Sequence, residues 1–110
     1  MKNGIYEAHF TTDRGMLGSG AVLIKDGHAY GADDLQFYRG EITQSGEDLE
    51  VIMEVTRHNF AATSAFGNKS VFTLHWRGKS LAQTAFKMDC RPEGVDVVVY
   101  VSGRMLREHE

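Results

Sequence analysis

The chain has 110 residues, with 15 acidic against 12 basic side chains and a formal net charge of −3. That length builds one hydrophobic core and hardly two, and the acidic balance excludes the broad electrostatic attraction on which sequence-independent DNA or RNA binding depends. The one cysteine, Cys90, cannot form an internal disulfide; no run reaches the length of a membrane-spanning helix, and residues 1–7 lack the apolar core of a secretory signal. A single cytoplasmic domain over residues 1–110 is therefore expected.

Twelve glycines and one proline punctuate a chain rich in Val, Thr, Phe and Tyr, a pattern of short strands joined by tight turns. Gly4 to Thr11 alternates, with Tyr6, Ala8 and Phe10 on one face and Glu7 and His9 on the other. Gly20 to Lys25 is a more continuous apolar run, and the Asp26-Gly27 that follows is favoured in type I′ hairpin turns, with His28 to Ala32 as the return strand. Asp33 to Phe37 reads as a short helical turn, Tyr38 to Thr43 as a strand and Gln44 to Gly46 as a turn.

Asp48 to Arg57 has the clearest two-residue period: Leu49, Val51, Met53 and Val55 share one face, and only Ile52 interrupts the polar one. His58 to Lys69 reads as a loop anchored by Phe60 and Phe66. Ser70 to Arg77 alternates again, Gly78-Lys79 suggests a turn, and Ser80 to Cys90 a further strand carrying Phe86 and Met88. After a turn at Pro92 to Gly94, Val95 to Val101 is apolar on both faces, because Val98 and Tyr100 oppose the valines at 95, 97, 99 and 101. Either residues 104–110 cover that second face or it is a dimer interface at Val98 and Tyr100, and a symmetric homodimer is the favoured expectation.

About eight strands with local connections and no sustained 3.6-residue period predict an all-β fold, a small antiparallel up-and-down β-barrel. Phe10, Met53, Phe72, Trp76, Phe86 and Met88 are the expected inward side chains, either as core or as the lining of a cavity for a small apolar ligand.

The search for chemistry returns little. Gly78-Lys79-Ser80 resembles the end of a phosphate-binding loop, but position 73 is threonine where that motif needs glycine. Gly18-Ser19-Gly20 lacks the spacing of a nucleophile elbow. The five histidines stand at no metal-ligand spacing. Acidic residues cluster at Asp33-Asp34 and at Glu47-Asp48 with Glu50, and turn-flanking charges of this kind are ordinarily solvated loop ends. No catalytic residue, metal site or cofactor is predicted.

Several segments taken together resemble the GrlR family of small bacterial regulators. Lys2-Asn3-Gly4-Ile5-Tyr6 with Phe10 is similar to the family's first strand, and Gly18 to Gly27 to its second. Gly31, Asp33, Tyr38 and Gly40 match a Gly-x-Asp…Tyr-x-Gly pattern, and Val55, Arg57 and Asn59 resemble the close of its long fourth strand. The resemblance covers about the first 60 residues by motif and the rest by strand pattern.

It implies a lipocalin-like barrel that forms homodimers and a non-enzymatic role through protein contact, in the namesake the repression of type III secretion by binding a transcriptional activator. An exposed acidic run mediates that recognition in the namesake. The matching positions here are Glu47, Asp48 and Glu50, interrupted by leucine and preceded by glycine. The resemblance therefore carries the fold further than it carries the partner.

Overall fold

The computed structural model describes residues 1–32, 36–57, 71–94 and 96–108, without the side chains of residues 16 and 17. Eight strands follow one another: β1 (Gly4–Thr12), β2 (Gly15–Lys25), β3 (His28–Ala32), β4 (Gln36–Ser45), β5 (Asp48–Arg57), β6 (Val71–Ala82), β7 (Ala85–Cys90) and β8 (Val99–Glu108). Each pairs antiparallel with the next, and β8 returns to β1, so the sheet closes into an up-and-down barrel. Among the described residues there is no helix long and apolar enough to cross a membrane.

The alternation in the sequence becomes the inside and outside of the wall. Tyr6 and Ala8 of β1, Val22 and Ile24 of β2, Leu49, Val51 and Val55 of β5, Leu74 and Trp76 of β6, Phe86 and Met88 of β7, and Val99 and Val101 of β8 are all buried. Their outward neighbours, such as Glu50, Glu54, His75, Lys87 and Ser102, are exposed. The Asp26-Gly27 turn has φ of 51° and 80°, positive at both central positions as a type I′ hairpin requires, and it joins the opposed pair Lys25 and His28.

Some expected boundaries move. Gly78-Lys79 is not a turn: β6 runs through it to Ala82, and the chain reverses at residues 83–84. Gly78 faces Met88 on β7, where a Cβ would collide with the Lys87 carbonyl and the Met88 backbone, so the glycine permits close strand approach rather than reversal. The turn expected at Gln44 to Gly46 falls at residues 46–47, with φ of 60° at Gly46. Gln36 and Phe37 belong to β4 rather than to a helical turn. Residues 33–35 and the anchors Phe60 and Phe66 lie outside the described residues.

The last strand departs most. It begins at Val99 rather than Val95, and residues 104–108, one of the two alternatives for covering its second face, are its second half. Closure dictates this. Arg104 opposes Glu7 on one side and Ala85 on the other, so this half of the strand is paired with both of its neighbours. Val98 precedes the strand, half-buried, with its backbone exchanging hydrogen bonds with Asp13: the Asp13 N–H donates to its carbonyl at 3.2 Å, and its own N–H donates to Asp13 Oδ1 at 3.3 Å.

Candidate functional site

The interior is the first place to look for a site, and it is occupied by side chains. Trp76 is 1% exposed and Tyr6 is fully buried. The ring of Phe10 lies 5.9 Å from that of Tyr38 and 6.4 Å from Trp76, and Tyr6 lies 5.9 Å from Phe86, all in tilted geometries favoured by aromatic quadrupoles. Trp76, Phe86 and Met88 are buried, whereas Phe10, Met53 and Phe72 are partly buried and pack against the core. Five of the six expected inward residues, all but Phe72, border one apolar void of about 40 Å³.

Few polar groups of the described residues are buried in the barrel. The Tyr6 hydroxyl donates to the Lys2 carbonyl at 2.6 Å, and burial, followed by the nearby Glu108 carboxylate, raises its pKa. Gln36 and Arg57, directly opposed on β4 and β5, are buried at the end away from the Asp26-Gly27 turn. The Trp76 indole N–H is buried without an acceptor among the described residues, a desolvation cost of about 1–3 kcal/mol. Cys90 is buried, and burial, with a smaller contribution from the Asp89 carboxylate, pushes its thiol up to about 12. A thiol so protonated is a packing group, not a nucleophile.

Charged side chains gather on the outside. The Glu7 carboxylate sits between His9 Nε2 at 2.6 Å and Arg104 Nη2 at 3.0 Å; the hydrogen bond from His9, followed among the favourable contributions by the Arg104 charge, lowers its pKa. Among the described residues no group of three or more His, Cys, Asp or Glu side chains is arranged to hold a metal ion.

The acidic turn is exposed, as expected, and two of its three carboxylates contact side chains of β6. Asp48 pairs with Lys79, opposite it on β6, and Glu50 with His75 Nε2 at 2.8 Å. Asp48 first, with Glu47 behind it, raises the Lys79 pKa. Glu47, at the turn itself, forms no side-chain ion pair among the described residues, and its carbonyl accepts the Ser80 N–H at 2.7 Å. The turn is thus pinned to β6 and presents one unpaired carboxylate.

Of the two residues expected to form a dimer strip, Val98 is half-buried and precedes β8, and Tyr100 lies within it. Tyr100 points outward from β8 and is 39% exposed, but its cross-strand neighbours are Thr11 and Asp89. The exposed apolar side chains that do share a face lie elsewhere: Tyr30 on β3, Phe37 on β4, Ile52 on β5 and Val71 on β6, each 43–58% exposed. Sequence reading missed this face because residues far apart in the chain compose it, and only the break at Ile52 in the polar side of β5 hinted at it.

Comparison with protein-family models and with curated proteins found no match.

Proposed function

We propose that this chain is a non-enzymatic regulatory protein of the GrlR type, acting in the cytoplasm by protein–protein contact, with a transcriptional activator of type III secretion genes as the partner class. The observation that carries a surface-binding role is the filled interior. The apolar void bordered by the described residues, about 40 Å³, compares with the roughly 150 Å³ of an engineered apolar cavity that takes up benzene, which supports the outside of the wall as the recognition surface. The regulatory assignment rests on the ordered motifs of the first 60 residues, and the barrel is the fold that resemblance implies.

The contact point assigned to the regulator is the acidic turn with Glu47 at its tip. Backbone attachment to β6 holds the turn in place before binding, which reduces the ordering cost of association. Because Asp48 already has a cationic partner in Lys79, the turn offers less steering charge than an uninterrupted acidic run.

The test is affinity capture of the tagged chain from its own cells, with identification of what it retains, set beside the Glu47→Lys variant. A DNA-binding regulator retained by the wild type and lost by the variant supports the reading. Recovery of a bound lipid or metabolite without a protein would replace it with the carrier reading, in which the methionines around the void move aside for a small apolar ligand.

A further inference from the structure

Around much of the outer wall, charged side chains stand across from groups of opposite charge. Glu7 opposes Arg104, Arg39 opposes Glu54, Asp48 opposes Lys79, and Arg77 opposes both Glu50 and Asp89. One row is different. Ile5 of β1 opposes Leu23 of β2, and Leu23 opposes Tyr30 of β3. On the other side of Ile5 the β1–β8 register shifts: Ile5 and Tyr6 face Arg107 and Met105, so Leu106 is the extra residue of a β-bulge, with no cross-strand partner. Leu106, Ile5 and Tyr30 are 43–56% exposed, and Leu23 is half-buried. Four neighbouring strands, β8, β1, β2 and β3, thus carry an apolar row about 14 Å wide, three strand spacings of about 4.8 Å.

Two cations border this row and face no carboxylate across the strands. The partner of Arg107 is Ile5, and that of Lys25 is His28. Each has an acid beside it in the chain, and each acid is held by another group. Glu108 pairs with Lys2 at 3.4 Å, and Asp26 accepts a hydrogen bond from Asn3 Nδ2 at 3.2 Å. Glu7, two positions from Ile5 on β1, is likewise taken up by His9 and Arg104. Arg107 and Lys25 are exposed and form no ion pair among the described residues. A chain with a net charge of −3 thus sets unpaired cations beside its exposed leucine and isoleucine.

We infer that this row is a peripheral docking surface for a membrane that carries anionic lipid. Leu106 and Ile5 enter the boundary between headgroups and acyl chains, Tyr30 keeps its hydroxyl at headgroup level, and Arg107 and Lys25 lie over the lipid phosphates. Shape favours a lipid surface over a protein. The row runs across the convex outside of a closed wall, whereas a protein hot spot buries its anchors in pockets; a fluid surface closes around a convex edge. Contact through a few apolar side chains and two charges is weak and reversible. It uses none of the residues assigned to the regulator, so the two readings stand or fall independently.

The test is flotation of the whole chain with vesicles of phosphatidylcholine alone and with vesicles in which about a third of the lipid is phosphatidylglycerol. The variants are Ile5→Thr/Leu106→Thr, Lys25→Glu/Arg107→Glu and, as a control of similar exposure on another face, Ile52→Thr. Circular dichroism and Trp76 fluorescence check the fold of each, and the charge variant carries the test if the apolar one unfolds. The expected result is binding of the wild type to the anionic vesicles only, weakened by salt. Partitioning falls about tenfold or more in the apolar and in the charge variant, and Ile52→Thr matches the wild type. A wild type that stays in solution with the anionic vesicles overturns the inference in favour of a protein partner. So does equal binding to both kinds of vesicle, binding that the folded variants retain in full, or an equal loss in Ile52→Thr.

Discussion

Phe86 of β7 and Gly103 of β8 are cross-strand partners, and the phenyl ring lies over the glycine in the space a side chain would take. A Cβ built at position 103 collides with the Phe86 ring, which is itself buried against Tyr6. The packing of one aromatic thus depends on the absence of a methyl group on the strand that closes the barrel.

Gly103→Ala should therefore destabilise the fold by about 1–3 kcal/mol, the cost of overpacking a filled core. Urea unfolding followed by fluorescence measures it. A midpoint equal to that of the wild type would show that the ring does not occupy that space.

Cys90 should be chemically silent in the folded protein. Its thiol, pushed up to about 12 by burial and by Asp89, is almost wholly protonated at pH 8, and the thiolate is the reactive form. Reaction with a disulfide reagent should run roughly a thousandfold slower or more in buffer than in denaturing urea. Comparable rates in the two conditions would place Cys90 outside the core.

Trp76 is the one tryptophan in the chain and is 1% exposed, so fluorescence reports on the middle of β6 alone. Its emission should be blue-shifted and resistant to iodide quenching, and both properties should vanish on unfolding. Long-wavelength emission from the native protein, readily quenched, would contradict the packed interior.

Glu7 gives a pH signature with a definite sign. Its folded pKa lies below the ordinary 4.5, chiefly through the hydrogen bond from His9. A carboxylate depressed on folding contributes stability that is present above its unfolded pKa and is lost as pH falls through the folded value. Glu7→Gln removes that contribution, so its urea midpoint should fall less steeply than the wild type's between pH 5 and the acid range. Parallel profiles would mean that the His9 and Arg104 contacts are not maintained in solution.

The fold was legible wherever one side of a strand is apolar and the other polar. The limits of β5 and the Asp26-Gly27 hairpin follow directly from that period and from turn chemistry. Reading faltered where glycine stands in a strand for reasons of space. Gly78 resembles a turn in sequence, and Gly103 interrupts the apolar period that would have marked β8 through residues 104–108. The valines from 95 to 101 misled in the opposite sense, since a run apolar on both faces begins before the strand does.

The site was less legible than the fold. Glu47, Asp48 and Glu50 were visible as an acidic stretch, but the partners of Asp48 and Glu50 were not, because Lys79 and His75 belong to a strand more than twenty residues away in sequence. The row from Leu106 to Tyr30 was equally hidden. Its residues come from four strands, and a row across strands is defined by register, which no local pattern encodes.

A barrel that acts by its outer wall, as proposed, retains no small molecule among the side chains that fill it. Native mass spectrometry of the chain purified from its own cells tests this most directly. The account predicts subunits at the mass of the polypeptide alone, with no small molecule retained. A subunit carrying a stoichiometric apolar ligand, released only on unfolding, would contradict it.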